Sequence, residues 1–487
     1  MSKIIIQNGN MCELDLPLKF AQKLYNEFAI RHPNAFYLRT RQRGMQNWDG
    51  KIHYITKTGQ FKIGLLPKVY DMCIEMGIKP KVVDMRQPLP KVSKVVTNIG
   101  KYKLRPEQEK AVKAVINNKI GNTPFQIGVL DLTVNFGKTL IMSSLYLSYK
   151  KQLKTLLITN DSDWLNQARE EFKQYLPGED ITFVQGKVLN WSNFTIGMVQ
   201  SISRNMRFYQ KELSQIDMVL VDEADQGGSK QYQNVITRLF NTRIRIGLSG
   251  TIYMSKLAKD KVKNMNLECF FGKVIAEFKL KDSIKKGYST KTVVKMVPGK
   301  PWYGNWESDC ISYKEIYDDS ITNCYTAWLM AYNRLLWNLN QGRYPALVVC
   351  KHIAHCENLY KFFKKKLGDA YNIAYVHVNT PSKLRQQIMK DFREGKIDIL
   401  VSTTIIARGK NFPKLKYLLN TASMLSNEKT IQFLGRLVRT DSSKKKAYVD
   451  DLMYPGNYLS RHARARKRYY QVEKLKVILV KRPKHKL

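Results

Sequence analysis

Short continuous apolar runs alternate with longer amphipathic ones along most of this chain. Residues 125–132 (FQIGVLDL), 155–159 (TLLIT), 195–200 (TIGMVQ), 218–223 (MVLVDE) and 245–250 (RIGLSG) read as strands. Further on, 346–350 (ALVVC), 373–377 (IAYVH), 398–403 (DILVST) and 417–421 (YLLNT) repeat the pattern. Strands that are apolar on both faces, separated by helical stretches, predict parallel sheets covered on both sides. Two such α/β domains in tandem are expected. In open parallel sheets ligands bind beyond the carboxyl ends of the strands, so the loops after these runs are where chemistry is expected.

Three stretches interrupt the alternation. Residues 84–100 (DMRQPLPKVSKVVTNIG) carry two Pro and one Gly with few large apolar residues, and read as a linker. Residues 283–306 (SIKKGYSTKTVVKMVPGKPWYGNW) are rich in Gly, Lys and aromatics and read as a join between two larger domains. From residue 461 the sequence RHARARKRYYQVEKLKVILVKRPKHKL holds one acid, Glu473, among many bases. The expected organisation is a small N-terminal α+β accessory domain at 1–90, one α/β domain at 101–282, a second at 307–455, and a basic helical tail at 456–487.

Composition narrows the class. The 487 residues hold 82 Lys and Arg against 40 Asp and Glu, a formal charge of +42. Such a surplus repels itself unless a polyanion neutralises it, and each phosphate contact also releases a counterion, so nucleic acid is the expected partner. With 44% hydrophobic residues each domain can bury a core, which excludes a mainly disordered chain. No apolar run approaches the ~18 residues of a membrane span, and the apolar run near the start is too short for a signal peptide. The seven Cys include no CxxC pair, which points to a reducing compartment.

Candidate chemistry starts at 131–140 (DLTVNFGKTL). A strand runs into a loop, then Gly137-Lys138-Thr139, then an amphipathic run, which is the context of a phosphate-binding loop. Gly137 lets backbone approach a phosphate, and the N–H groups at the helix start point at it. Lys138 is expected on the β- and γ-phosphates of ATP and the Thr139 hydroxyl on Mg²⁺. The fuller glycine pattern is not met: Leu132 stands where the first Gly belongs, and Asn135 and Phe136 are unusual there. A second signal is the acid pair at the end of 218–222. Asp222 is expected to hold Mg²⁺ through water, and Glu223 to orient and deprotonate the attacking water. A third is 426–441 (SNEKTIQFLGRLVRTD), where helical spacing puts Gln432, Arg436 and Arg439 on one face. Two guanidiniums there suit charge developing on a γ-phosphate.

With these residues in place the series resembles the superfamily 2 helicases over roughly 101–451. RPEQ, with Arg105 and Gln108, is similar to the adenine-side motif of that family. TNDSDWLNQ from Thr159, and MVQS with Gln200 and Ser201, resemble strand-gripping motifs. LSGT, with Ser249 and Thr251, resembles the motif that couples ATP state to nucleic acid. VSTTIIARGKN, with Thr403 and Gly409, and QFLGRLVR resemble the last two motifs. The departures are the bulky phosphate loop and Lys410-Asn411 after Arg408-Gly409. The segment FYLRTRQRGMQNWDGKIHYI (36–55) and CKHIAHCENLYKFF (350–363) resemble segments of phage helicases that remodel branched DNA. The resemblance implies two RecA-like motor domains, ATP and Mg²⁺ as cofactors, and a monomer acting on single-stranded and branched duplex DNA or RNA–DNA hybrid. It also implies a phage-encoded protein in the host cytoplasm, beside replication or recombination proteins. Two alternatives stay open: an ATP-dependent RNA helicase, and a non-hydrolysing junction-binding or annealing protein.

The expected nucleic-acid contacts are Thr159, Gln200, Ser201, Lys351 and Thr403 at strand ends, holding phosphates without reading sequence. In the N-terminal domain Arg39, Arg41, Arg43, Lys51 and Lys57 surround Trp48, which reads either as core packing or as a stacking platform. In the tail, Arg461, Arg464, Arg466, Lys467 and Arg468 read as a helix along duplex phosphates or as a disordered basic tail. Cys350, His352, His355 and Cys356 are too compressed for paired zinc-ligand spacing and read as packing. The acid pair Asp450-Asp451 reads as surface or capping groups.

Overall fold

The computed structural model describes residues 2–480 apart from 42–44, 46, 134, 150–151, 187, 251, 253–260, 300–311, 408–411, 426–429, 431–432 and 436, and describes 163, 189 and 457 by their backbone only. The chain divides into two compact units, Met1–Phe278 and Lys279–Leu487.

The first unit is built on an eight-stranded sheet. Its order is Val188–Leu189, Ile181–Gln185, Phe194–Met198, Thr155–Thr159, Met218–Asp222, Ile244–Ser249, Ile127–Leu132, Val274–Phe278. Every pairing is parallel except the terminal hairpin that adds Val188–Leu189. The four central strands are buried at every position, as their uninterrupted apolar sequence requires. In register, Asp131 lies opposite Ser249 and Asp222 opposite Leu248. The phosphate loop, the acid pair and the coupling motif therefore emerge side by side at one sheet edge.

The N-terminal residues form a separate sheet, Gln60–Lys62, Met11–Asp15, Lys3–Ile6, Lys81–Asp84, with helices Leu18–Glu27 and Leu66–Glu75. It shares a core with the large sheet: Ile4, Ile6, Leu65, Leu66 and Val69 cluster with Phe125, Ile127, Val129 and Ile158. A buried cation pins the two layers. Arg245, in the strand Ile244–Ser249, is fully buried and donates to Gly9 O at 2.6 Å, Asn10 Oδ1 at 2.8 Å and Phe270 O at 3.2 Å. Burial pulls its pKa down to about 9. Residues 84–100 lie against the large sheet's flank: Leu89, Val92, Val95 and Val96 pack on its core, and Arg243 donates to Pro88 O.

Gly64 marks how closely the layers approach. A Cβ there would lie 2.1 Å from Glu268 O and 2.7 Å from Cys269 O. Gly64→Ala is expected to lower stability by about 2–3 kcal/mol, because both neighbours are backbone and cannot swing away. Urea unfolding checks this, and an unchanged midpoint contradicts the close contact.

The second unit holds a seven-stranded, wholly parallel sheet: Ile373–Val376, Ile399–Ser402, Ala346–Val349, Tyr417–Asn420, Lys446–Met453, Lys291–Pro298, Lys476–Leu479. The two sheets are those of two RecA-like α/β domains. Two expectations change here. The stretch 283–306 is not only a join, since Lys291–Pro298 is an interior strand whose Thr292, Val294 and Met296 face the core. Nor is the region from 456 a detached tail. Helix Asn457–Val472 packs on the sheet, and Lys476–Leu479 extends it.

Asp450 and Asp451 are also not surface groups; both are buried at the heart of this unit. Side chains alternate along a strand, so the two carboxylates serve opposite faces. Asp450 accepts from Arg334 Nε at 2.9 Å, Asn338 Nδ2 at 3.0 Å and Tyr417 Oη at 3.0 Å. Asp451 accepts from Arg466 Nη2 at 2.7 Å, Arg466 Nε, Asn420 Nδ2 at 2.9 Å and Tyr470 Oη at 2.7 Å. Arg466 is thus a buried structural cation and not a phosphate contact, because its helix turns that face onto the sheet.

Candidate active site and nucleic-acid edge

The phosphate loop is shaped by residues that sequence made look anomalous. Strand Ile127–Leu132 ends in buried Asp131 and Leu132. Asn135 takes a left-handed conformation, φ 65°, and Gly137 another, φ 85°. Helix Lys138–Ser148 starts directly after Gly137. Phe136 between them is buried, with its ring 4.6 Å from that of Phe278. The bulky residue therefore anchors the loop in the core. Its carbonyl accepts from Gln108 Nε2 at 2.7 Å and from Arg105 Nη2 at 2.5 Å. Gln108 Oε1 in turn accepts the Arg105 N–H at 2.8 Å, closing a capping arrangement at the start of helix Pro106–Ile116. Both ends of the Gln108 amide thus meet backbone, and a Cβ at Gly137 would lie 2.5 Å from its Nε2.

Lys138 reaches toward the acids. Its Nζ lies 3.8 Å from Asp222 Oδ1. Burial pulls its pKa down, but the carboxylates of Glu223, Asp222, Asp225 and Asp131 outweigh burial and raise it. Asp222 shows the converse. Burial pushes its pKa up to about 7, although Lys138 works against that rise, and Glu223 adds to it. Glu223 leaves the strand in a left-handed conformation, φ 51°, which turns it away from the strand line. Thr139 is buried at the first turn of the helix. The donor set suits a cation-bearing triphosphate: a lysine and a hydroxyl at a helix start, facing clustered carboxylates one of which is forced toward its neutral form.

The coupling motif touches the same cluster. Ser249 Oγ donates to Asp225 Oδ1 at 2.8 Å. A Cβ on Gly250 would lie 2.9 Å from Leu132 O, so this motif rests on the first residues of the phosphate loop. Asp131 and Asp225 were missed from sequence; only their distance from Lys138 in space marks them. Thr251 lies outside the described residues.

The expected strand-gripping residues form a connected row. Thr159 is buried and its Oγ1 accepts the Asp161 N–H at 3.2 Å. Gln200 donates to Asn160 O at 3.4 Å, and Ser201 Oγ accepts the Gly186 N–H at 2.9 Å. Gln200 and Ser201 lie in helix Val199–Arg204, directly after strand Phe194–Met198. In the N-terminal domain Trp48 is half-buried and belongs to no core cluster. It donates to Lys51 O at 2.9 Å and meets His32 edge-on. Arg39 donates to Trp48 O at 2.7 Å, and Arg41 lies over the Tyr37 ring at 5.0 Å. Phe36 and Tyr37, absent from the sequence reading, are exposed on the same helix, Ala35–Arg41, by 80% and 54%. Arg43 lies outside the described residues.

In the second unit Lys351 follows strand Ala346–Val349, with its Nζ 4.0 Å from the Tyr313 ring centroid. Thr403 is buried, and its neighbour Thr404 lines a cavity beside Lys351. Gln432, Arg436 and Gly409 lie outside the described residues. Arg439 follows the last helical residue, Leu437, and does not continue the helix face. The cause is local: Thr290 takes the Val438 carbonyl with its N–H at 2.7 Å and the Arg439 carbonyl with its Oγ1 at 2.9 Å.

Cys350, Cys356 and His355 are buried under the sheet, where His355 Nδ1 and Tyr317 Oη lie 3.0 Å apart. Burial, with His352 nearby, pulls the His355 pKa down from 6.5 to about 3. The unfolded chain therefore takes up a proton that the folded one excludes, and stability falls as pH drops below about 6.5 until near 3. His355→Gln is expected to lose less stability between pH 7.5 and pH 4.5, both rough set points. Thermal melts at the two values check it; parallel losses in both proteins contradict it.

Two family models match the chain: the Type III restriction enzyme res subunit over residues 101–254, and the helicase conserved C-terminal domain over residues 329–441. The ATP-dependent DNA helicase uvsW of Enterobacteria phage T4 is 22% identical over 475 residues, covering 88% of this chain and 86% of that one. Among solved structures, a fragment of a putative HsdR subunit of a type I restriction enzyme from Vibrio vulnificus YJ016 superposes with a TM-score of 0.56 at 15% identity. It covers 77% of this chain and 66% of that one. Dbp5 of S. cerevisiae, bound to RNA and ADP BeF3, gives a TM-score of 0.52 at 15% identity, covering 78% of this chain and 90% of that one. These two likenesses concern the fold. The two family matches fall on the two parallel-sheet units in the order that the motifs require, and the chain belongs to the superfamily 2 helicases, enzymes that hydrolyse ATP.

Proposed function

We propose that this helicase is a DNA-dependent motor that remodels branched DNA, regressing forks, migrating junctions and clearing D-loops or R-loops, in phage replication, recombination and repair. The observation that carries its motor chemistry is Lys138 set against Asp222 and Glu223 at one sheet edge. Lys138 and the N–H groups behind Gly137 bind the phosphates of ATP, while Gln108 and Arg105 hold the loop through Phe136. Thr139 and Asp222 hold Mg²⁺, which when bound neutralises phosphate charge. Glu223 takes the proton of the attacking water. Gln432, Arg436, Arg439 and Gly409 serve the γ-phosphate side, and Ser249 and Thr251 relay its loss to the strand-gripping row. Electrostatics and positioning carry the rate.

The branched-DNA part rests on two supports. One is the phage T4 relative, whose name gives it as a DNA helicase. The other is the N-terminal domain, docked on the first sheet through Arg245 and presenting exposed aromatics beside Arg39 and Arg41. A domain so fixed can hold a duplex arm while the motor pulls a strand. A synthetic fork with a labelled parental arm tests this. ATP-dependent conversion to regressed products, faster than separation of a linear partial duplex, is expected; separation of the linear duplex alone contradicts it.

A further inference from the structure

The second unit holds a cavity of about 490 Å³ that none of the motor chemistry above uses. Lys351 and His352 line it from the end of strand Ala346–Val349, and Thr404 from the end of strand Ile399–Ser402. Tyr458 and Arg461 line it from the first turns of helix Asn457–Val472, and Tyr313 closes it. No carboxylate is among the lining residues described. Each cation is held instead by an aromatic face: Lys351 Nζ lies 4.0 Å from the Tyr313 centroid and 5.2 Å from that of Tyr317, and Arg461 Cζ 5.8 Å from that of Tyr458.

The walls are fixed in place. Ser423, a non-glycine residue at φ 42°, offers its carbonyl to His462 Nδ1 at 3.0 Å and to Tyr313 Oη at 3.3 Å. Such a conformation costs about 1–3 kcal/mol and persists where its surroundings over-determine it. The His352 Nε2 atom is buried without a hydrogen-bond partner among the described residues.

We infer that this cavity receives one unstacked nucleotide of the bound strand, its base against Tyr313 and Tyr458 and its phosphate between Lys351 and Arg461. The inference rests on the reading of the protein as a nucleic-acid motor and adds a base-holding site to it. Cations without acids select an anion, and two tyrosine rings give it an aromatic companion. Without carboxylates the lining has nothing to carry a divalent metal, which disfavours a nucleoside triphosphate as occupant. A strand is favoured over a free nucleotide because the cavity opens where strand ends and a surface helix meet, and because Thr404 follows the motif already expected to hold phosphates.

The same base-plus-phosphate chemistry could come from a strand or from a free monophosphate, so the test has two arms, both without ATP. Full-length protein is photocross-linked to a single-stranded DNA carrying 5-iodouracil, and separately to 5-iodo-deoxyuridine monophosphate, and the adducts are mapped by mass spectrometry. Strand adducts on Tyr313 or Tyr458 are expected. In parallel, removing the bases from the strand is expected to weaken binding, and Tyr458→Ala to shrink that base-dependent part by about tenfold. Tyr458→Phe should retain it, which separates stacking from a folding defect. Adducts from the monophosphate alone, or from neither, overturn the inference, as does an unchanged base dependence in Tyr458→Ala. Because ATP is absent, failure here is distinct from failure of the motor reading, which is judged by nucleic-acid-stimulated turnover.

Discussion

Replacing Lys138 by Ala is expected to lower ATP turnover by roughly 10²–10³-fold while leaving the fold intact. The lysine faces four carboxylates, and its charge is the one that draws Asp222 back toward ionisation against burial. Without it, Asp222 holds its proton to still higher pH, and the site loses both its phosphate-binding cation and an ionised metal ligand. Nothing in the core depends on the ammonium group, so the melting midpoint should move little. Strand binding without ATP should stay within about twofold, since the gripping residues lie on other strand ends. Steady-state turnover with melting curves of both proteins checks this. A variant that unfolds, or one that turns ATP over at the parent rate, contradicts the assigned role.

The second large effect concerns stability. Arg466→Met is expected to cost about 3–5 kcal/mol, because it strands the Asp451 carboxylate in the interior. Asn420 and Tyr470 still donate to that carboxylate, but neither carries charge. The double change Arg466→Met with Asp451→Asn should recover part of the loss, since no uncompensated ion then remains buried. Amide exchange in strand Lys446–Met453 reports it directly: protection should collapse in the single variant and return in the double. Equal protection in all three proteins contradicts a structural role for the pair.

These two residues also separate what sequence could show from what it could not. Lys138 and Asp222 were legible because each follows a wholly apolar strand, and the carboxyl edge of a parallel sheet is where such groups gather. The helix after Gly137 and the order of motifs added the rest. Arg466 and Asp451 were not legible. A buried ion pair looks the same in sequence as a solvated one, and in so basic a chain an arginine-rich helix reads as a phosphate-binding face. Arg245 misled by silence, as one charge inside an apolar run whose partners, Gly9 and Asn10, come from the other end of the first unit. The unrecognised strands have a common cause. Lys291–Pro298 and Lys446–Met453 mix lysine and aspartate with β-branched residues, so the apolar-run criterion passes over them. Phe136 inverted its meaning: bulk that seemed foreign to a phosphate loop is what ties the loop to the core.

Most directly at issue is whether nucleic acid drives turnover at the Lys138 site. ATP hydrolysis by the full chain and by Lys138→Ala should be measured without nucleic acid and with single-stranded DNA, fork DNA and RNA. The account predicts low basal turnover, stimulation of about tenfold or more by DNA, strongest on the fork, and none of it in the variant. Stimulation by RNA alone selects an RNA helicase, and equal turnover in protein and variant under every condition contradicts the account.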